Sequence, residues 1–276
     1  WSEVSGATKY EYCIDTNNNN SCDSSWIDTG INSNASLTGL SNNTTYYCQV
    51  KGTIGEVTKY ADNDIWWSFV TVGNNTICST VTEIPRTECV ALVALYNSTG
   101  GPGWSFRFNW LSTNTPCSWY GVACTSGHVA SFNTGSVSGN NLIGTIPAEI
   151  GDLTKLTFLN LSNNKLTGSI PAELGNLSNL LRLSLNNNQL TGSIPAELGN
   201  LNSLLGLWLY NNELSGEIPS SIGNLSNLMY LSLHTNQLTG NIPVSSGNLV
   251  NLVTLYLNND QLSGSIPSGL GSLTYL

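Results

Sequence analysis

The stretch LTGSIPAELGNL occupies residues 166–177, and the same twelve letters return unchanged at residues 190–201. The offset is 24 residues, and a leucine opens each unit at that offset: Leu153, Leu177, Leu201, Leu225, Leu249 and Leu273. A catalytic centre needs different residue types that converge once, whereas repetition at a fixed period is typical of stacked coils. The sequence therefore predicts five 24-residue coils over residues 153–272 and the start of a sixth.

Each coil carries apolar residues that it cannot bury by itself. In the coil at residues 177–200 they are Leu180, Leu183, Leu185, Leu190, Ile194 and Leu198. Neighbouring coils must stack to shelter these side chains, which makes the predicted fold a solenoid. In each coil, Gly192 or its equivalent suits a turn with an unusual φ, and Pro195 or its equivalent ends the second extended segment.

An asparagine ladder runs along the same coils, and its amides can satisfy backbone groups at a turn. Its rungs are Asn164, Asn188, Asn212 and Asn236. The fifth rung is Asp260, which lacks the amide donor, and Ser246 interrupts a column of leucine and isoleucine. We expect both departures to loosen the C-terminal coils.

The complete pattern, LxxLxxLxLxxNxLxGxIPxxLGxL, resembles the plant-type extracellular leucine-rich repeat over residues 153–276. The resemblance implies a parallel sheet on a concave side, a second, shorter sheet from the LTGSIP segments, and a convex side of short 3-10 or irregular structure. The stretch ECVALVALYNSTGGPGWSFRFNWLSTNTPCSWYGVAC (88–124) resembles the N-terminal cap of that family. It implies a helix near 88–97 and a Cys117–Cys124 disulfide. Residues 128–152 then form a degenerate first coil, after a linker and cap at 74–127.

Residues 1–73 have a different pattern, with alternating aromatic runs separated by Asn, Gly and Ser, which indicates an antiparallel β-sandwich. WSEVSGATKYEY and LTGLSNNTTYYCQV resemble parts of a fibronectin type III module. The resemblance implies that Tyr46 is the corner tyrosine and that Val50 and Leu40 lie in the core. Because Trp1 is the first residue, we expect the first strand of this mainly β module to be missing and its edge to be unpaired. That strand belongs to a longer parent chain or comes from a neighbour.

All seven cysteines lie in the first 124 residues, and only two histidines accompany them. Disulfides in an exported protein explain this pattern better than a metal site. We expect Cys13–Cys22 and Cys78–Cys89, with Cys48 unpaired; the alternative joins Cys13 to Cys48 and frees Cys22. Glycosylation sequons begin at Asn19, Asn34, Asn42, Asn43, Asn74, Asn97, Asn160, Asn176 and Asn224.

Composition and motifs exclude several functions. The net charge is −9 and the chain has 8 Lys and Arg, so it has no basic stripe for nucleic acid and no apolar run that would enter a membrane. Catalytic motifs are absent, and His128 and His234 have no matched nucleophile, so we predict no enzyme and no cofactor. A loop with Asp15, Asn17, Asn19 and Asp23 is a weak calcium candidate that lacks the expected Gly and Glu.

Side chains alternate along a strand, so the positions equivalent to 158, 160 and 162 point outward together on the concave face. Coils lie about 4.8 Å apart, which would join several aromatic residues into one patch. Aromatic residues within a polar rim serve in both protein and sugar recognition. The predicted contact residues are Phe158, Arg182, Trp208, Tyr210, Tyr230, His234 and Tyr256.

These features predict an extracellular recognition or adhesion protein that binds a protein or a glycan. The first alternative is a glycosylated surface fibre in which subunits join head to tail without closure. A more distant alternative is ice binding by the Thr/Ser array of the LTGSIP segments, which Glu217 and Asn241 interrupt.

Overall fold

The computed structural model describes residues 7–15, 26–30, 45–54, 57–60, 67–70, 77–135 and 139–276. The chain separates into two compact units, Trp1–Asn74 and Asn75–Leu276.

The described part of the first unit is an antiparallel sheet. Its strands are β1 (Lys9–Asp15), β2 (Ile27–Gly30), β3 (Thr45–Ile54), β4 (Val57–Tyr60) and β5 (Trp67–Val70). β3 is central: β1 pairs along one side, while β5 and β4 pair with its first and second halves on the other side. β2 pairs with the outer side of β1. These strands form one layer, so the described residues do not show the two-layer sandwich that we predicted.

A small core lies on one side of this sheet. Tyr10, Cys48 and Val50 are buried in it, and Tyr12 and Ile14 pack against them. Val50 therefore lies in the core, as the fibronectin resemblance implies. The side chain of Tyr46, and Leu40 and Trp1 as a whole, lie outside the described part.

The second unit begins with the cap. Its helix α1 spans Arg86–Ser98, slightly longer than predicted, and it starts after Pro85, a residue suited to a helix N-terminus. The chain leaves the helix through Gly100 at φ 68°, a left-handed conformation that favours glycine. Nearly every residue from 88 to 96 is buried. The helix packs against the 3-10 helix of the degenerate first coil.

Aromatic rings fill the cap. Tyr96, Trp104, Trp110 and Trp119 contact one another at centroid distances of 4.8–5.4 Å, and Phe132 of the first coil joins them. The three indole N–H groups donate to backbone carbonyls at 2.9–3.2 Å. Each buried indole thus has a hydrogen-bond partner, and the cluster covers the end of the coil stack without an unpaired donor.

A seven-stranded sheet, parallel apart from its first strand, forms one side of the coil stack, which confirms the predicted solenoid. Its strands are β6 (Val122–Thr125), β7 (His128–Asn133), β9 (Phe158–Asn160), β11 (Arg182–Ser184), β13 (Gly206–Trp208), β15 (Tyr230–Ser232) and β17 (Thr254–Tyr256). They lie in chain order, and equivalent residues of successive coils are in register. β6 pairs antiparallel with β7 and closes the sheet at the cap.

The LTGSIP segments form shorter parallel pairings, as predicted. Their strands are β8 (Ile143–Thr145), β10 (Lys165–Thr167), β12 (Thr191–Gly192), β14 (Glu213–Glu217) and β16 (Gln237–Thr239). A 3-10 helix then completes each coil, at Ala148–Asp152, Ala172–Asn176, Ala196–Asn200, Ser220–Asn224, Val244–Asn248 and Ser268–Ser272. Further 3-10 turns in the cap span Ile77–Ser79, Gly101–Gly103 and Pro116–Ser118.

Two glycine positions let the coils approach closely. Gly192 has φ 76°, where most side chains are strained, and its equivalents share this conformation. Gly199 has an ordinary φ, but a Cβ there would lie 2.5 Å from the carbonyl oxygen of Ser221 in the next coil. The second position therefore sets the distance between 3-10 helices.

The predicted asparagine ladder holds the coils together through the backbone. In the rung at Asn212, Oδ1 accepts the N–H of Leu190 at 3.1 Å, and Nδ2 donates to the carbonyls of Leu185 and Leu209. Each amide thus joins its own coil to the preceding one. At Asp260, Oδ1 still accepts the N–H of Leu238, but the buried Oδ2 has no hydrogen-bond partner within the described residues.

The structure joins Cys78 to Cys89 and Cys117 to Cys124, the two pairs expected in the cap. Cys13 is also disulfide-bonded, while Cys48 is a buried free thiol. The alternative pairing of Cys13 with Cys48 is therefore wrong. Cys22, the expected partner of Cys13, lies outside the described residues.

Candidate ligand-binding face

The outward side of the seven-stranded sheet, called the strand face below, carries the predicted contact residues. Alternation along each strand points the leucines between them inward, and Leu159, Leu183 and Leu207 are fully buried. The positions that alternation assigns to the outward side are Phe158, Asn160, Ser162, Arg182, Ser184, Asn186, Gly206, Trp208, Tyr210, Tyr230, Ser232, His234, Thr254, Tyr256 and Asn258. Four of them, Ser162, Asn186, Gly206 and Ser232, are buried beneath their neighbours. This set contains no Asp or Glu, so the face has cationic and neutral groups only.

The rings of Trp208 and Tyr230 stack at 6.1 Å with 19° between their planes. Trp208 bends over Gly206, where an added Cβ would come within 2.2 Å of the indole. Because Gly206 has no side chain, the indole of Trp208 has room to lie beside Tyr230. Gly206 was not among the predicted site residues, although its position carries a large side chain in the coils on either side.

A second ring group consists of Tyr210, His234 and Tyr256. Tyr210 and His234 stack at 4.6 Å and 10°, and Tyr256 meets His234 edge-on at 5.9 Å. Nδ1 of His234 lies 3.0 Å from Oγ1 of Thr235, which orients the imidazole. The ring contacts therefore divide the predicted single patch into two groups, both partly exposed.

Phe158 and Arg182 are outward but separate from these rings. They face each other in the register of β9 and β11, and neither makes a ring or cation–π contact within the described residues. Beside them, Asn160 donates to the carbonyl of Gly135 and accepts from the backbone and hydroxyl of Ser162. This end of the strand face is a closed polar network.

A second asparagine column, which was not predicted, borders the strand face. Asn163, Asn187 and Asn211 have φ of 53–58°, and the amide of Asn187 donates to Asn163 at 2.6 Å and that of Asn211 to Asn187 at 2.7 Å. The repeated NN pair is the signal that would have indicated it, because Asn tolerates left-handed backbone better than most residues. This column gives the ring groups a polar rim.

The remaining predicted sites are placed as follows. Of the calcium candidates only Asp15 is described, and no group of His, Cys, Asp and Glu within the described ranges could hold a metal ion. Among the sequons, Asn97, Asn176 and Asn224 are exposed, whereas the amide of Asn160 is engaged as above. Asn19, Asn34, Asn42, Asn43 and Asn74 lie outside the described residues. None of the described helices is long and apolar enough to span a bilayer.

The Thr/Ser array of the LTGSIP segments lies at the surface, on a different side of the coil from the strand face. Thr191 and Ser193 are exposed, and so are the interrupting Glu217 and Asn241. The carboxylate of Glu217 packs near Gly240, where an added Cβ would meet it at 3.0 Å.

The family model for the Leucine Rich Repeat matches residues 155–177, 179–201, 203–225, 227–249 and 251–273. Solved structures of Arabidopsis thaliana proteins resemble the chain at 34–42% identity. The LRR ectodomain of GASSHO1/SCHENGEN3, solved with CASPARIAN STRIP INTEGRITY FACTOR 2, is 42% identical over 58% of this chain and 19% of that chain, with a TM-score of 0.56. HAESA, solved with the peptide hormone IDA and the co-receptor SERK1, is 37% identical over 67% of this chain and 32% of that chain, with a TM-score of 0.57.

A chain of the BIR3–SERK2 complex is 34% identical, and the match covers 63% of this chain and 94% of that one, with a TM-score of 0.53. The chain thus spans nearly all of this smaller relative, but less than a third of the two larger ectodomains.

Proposed function

This chain belongs to the leucine-rich repeat family, and on that premise we propose that it is an extracellular, non-enzymatic recognition protein that binds a partner protein through the strand face. Support comes from two partly exposed ring groups on one sheet, with no Asp or Glu among the outward positions. The similar structures of GASSHO1/SCHENGEN3 and HAESA were solved with bound protein or peptide ligands, which is consistent with this role.

The stacked pair of Trp208 and Tyr230 carries the proposal. Rings that already pack on one another lose little conformational freedom when a partner covers them, so more of the contact energy appears as affinity. Trp and Tyr are also the residues that most often dominate protein interfaces. The bordering amides of Asn187 and Asn211 would supply hydrogen bonds at the edge of such an interface.

The test is a binding screen against a panel of secreted proteins, peptides and glycans, followed by variants of the strand face. We expect Trp208→Ala with Tyr230→Ala to weaken binding of the selected protein about 30-fold, equivalent to about 2 kcal/mol. Phe108→Ala is the matched control, because Phe108 is an exposed cap ring outside the strand face. Equal binding by the double variant and the control would contradict the proposal, and selection of glycans only would replace protein by sugar as the ligand.

Each alternative function has its own test. A surface fibre would appear as filaments in electron microscopy of the concentrated protein. Ice binding requires a flat hydroxyl array, and the exposed Glu217 and Asn241 interrupt it in consecutive coils. Thermal hysteresis of the wild type would revive that function.

We also propose that residues 1–73 are a fibronectin type III-like module. The antiparallel pairing of β1 with β3 and the burial of Val50 support it. An experimental structure with one sheet only would exclude this assignment.

A further inference from the structure

Thr235 is an exception in the asparagine column that borders the strand face. The equivalent positions of the other four coils have φ of 53–58° and are Asn163, Asn187, Asn211 and Asn259. Thr235 has φ 59°, in the same left-handed region. Asparagine tolerates this backbone, whereas a β-branched residue is strained in it. The protein therefore keeps a strained threonine at the one coil where the preceding residue is a histidine.

The hydroxyl of Thr235 bonds to the histidine beside it instead of continuing the column. Its Oγ1 lies 3.0 Å from Nδ1 of His234. In the column itself, the amide of Asn187 donates to Asn163 and that of Asn211 to Asn187. This chain of amides stops at Asn211, because Thr235 has no amide group to donate onward. Threonine thus replaces a link between coils by a link to the imidazole.

The imidazole of His234 lies in the middle of the second ring group. Tyr210 stacks on it at 4.6 Å and 10°, and Tyr256 meets it edge-on at 5.9 Å. These contacts fix the plane of the ring but not its orientation within that plane, because rotation about the last side-chain torsion of histidine is roughly two-fold. The two orientations differ in where the nitrogens lie. The hydrogen bond to Thr235 selects one of them.

The same hydrogen bond assigns the tautomer of His234. In a neutral imidazole one nitrogen carries the hydrogen and the other accepts. Within the described residues, Nδ1 of His234 is the hydrogen-bond partner of the Thr235 hydroxyl, so the O–H donates to this nitrogen. Nε2 then carries the ring hydrogen. Because His234 is partly exposed among the outward positions, Nε2–H is a donor on the strand face.

We propose that Thr235 is a positioning residue of the strand face, whose hydroxyl holds His234 so that Nε2–H donates to a carbonyl oxygen of the bound partner protein. Backbone strain is retained at binding sites where it preorganises the contact groups, and Thr235 is strained beside a contact residue. A donor that is already oriented loses less conformational freedom on binding. The proposal rests on the proposed protein-binding function and adds a contact that determines specificity.

Nitrogen-15 NMR of the imidazoles tests the positioning without any ligand, because the chain has only two histidines. In alkaline buffer, which keeps imidazoles neutral, we expect His234 in the Nε2–H form. His128 is the internal reference: its Nδ1 lies 2.6 Å from the buried carboxylate of Glu88, which accepts, so this ring should be in the Nδ1–H form. His234→Gln assigns the two sets of signals. An average of both forms at His234 would overturn the proposal.

Thr235→Asn separates positioning from folding, because it should stabilise the coils and weaken the site. Asparagine suits the φ of 59° and continues the amide column, so the Tm of the second unit should rise by about 3 °C. His234 should then populate both tautomers, and binding of the secreted protein selected in the screen should weaken about fivefold. Thr235→Ser is the matched control: it keeps the hydroxyl, and it should keep the tautomer and bind within about twofold of the wild type.

The outcomes separate this proposal from the function of the strand face. Weaker binding by Thr235→Asn at a higher Tm, with wild-type binding by Thr235→Ser, would confirm the role of the hydroxyl. If Trp208→Ala with Tyr230→Ala weakens binding while Thr235→Asn binds normally, positioning by Thr235 is wrong and the strand face stands. Equal losses in the Asn and Ser variants would also overturn it. If neither the ring variant nor Thr235→Asn changes binding, both proposals fail.

Discussion

The cap and the coils bury their cores by different means, although they share one continuous hydrophobic cluster. The cap uses large rings once each, with Trp110 contacting Tyr96, Trp104 and Trp119 and each indole bonded to its own carbonyl. The coils use one leucine pattern repeatedly, so each contact has an equivalent 24 residues away. A defect in the cap therefore removes a unique contact set, whereas a defect in a coil should remain local.

The largest effect is expected in the cap. Trp110→Ala should lower the free energy of unfolding of the second unit by about 4 kcal/mol, because it leaves a cavity among four rings and removes the indole donor to the carbonyl of Tyr120. Urea denaturation measures the loss. Phe108→Ala, which removes an exposed ring from the same segment, should cost less than about 1 kcal/mol. Similar losses from the two variants would show that the ring cluster does not hold the cap.

A coil leucine tests the local character of the repeats. Leu207→Ala, a fully buried position in β13, should cost about 3 kcal/mol. Hydrogen exchange should show faster opening in the neighbouring coils while α1 keeps its protection, because each coil contacts only the coils beside it. Leu181→Ala, at a partly exposed position, is the control. Equal loss of protection in α1 would mean that cap and coils unfold as one cooperative unit.

The asparagine rungs couple one coil to the next. Asn212→Ala should cost about 2 kcal/mol, because it leaves the N–H of Leu190 without its acceptor. The carbonyls of Leu185 and Leu209 each lose one of two amide donors and keep the amides of Asn188 and Asn236. Asn211→Gly removes an amide from the exposed neighbouring column while keeping a residue that adopts the φ of 53°, and it should cost less than about 1 kcal/mol. Thermal unfolding of both variants compares the two asparagine columns directly, and a larger loss at Asn211 would reverse their assigned roles.

The smallest effect is expected at Asp260, the rung of the ladder that carries a carboxylate in place of an amide. Asp260→Asn restores the amide donor and should stabilise the second unit by about 1 kcal/mol at neutral pH. Burial raises the pKa of the Asp260 carboxyl above its usual 3.8, so the folded state holds this proton more tightly than the unfolded state does. The contribution of Asp260 to the free energy of unfolding is therefore highest in acid. It falls as the pH rises from 3.8, the usual pKa, towards the higher pKa of the folded state.

The pH dependence of Asp260→Asn is measured as a difference, since other groups titrate in the same range. The stability of the variant minus that of the wild type should grow as pH rises from acid to neutral, and then remain constant. A difference that is independent of pH would indicate that Asp260 is ionised in the folded chain without a penalty.

The coil architecture was predictable because a period of 24 residues places the same chemistry at every turn. The leucine burial, the asparagine ladder and the positive φ of Gly192 follow from that period, while the second sheet was implied by the family resemblance. The cap helix was implied by the resemblance of residues 88–124 to the family's cap, and its bounds shifted by only a few residues. The first seventy residues have no such period, so alternation predicted strands there but could not show how the strands combine into layers.

Within the candidate site, the sequence identified which residues point outward, because alternation along a strand is a local property of the backbone. It could not divide the aromatic residues into two stacked groups, since that depends on the space above Gly206 and on the tilt of each ring. The period alone thus determined the solenoid and its faces, whereas ring stacking and the joining of distant residues into cavities were decided by side-chain packing between coils.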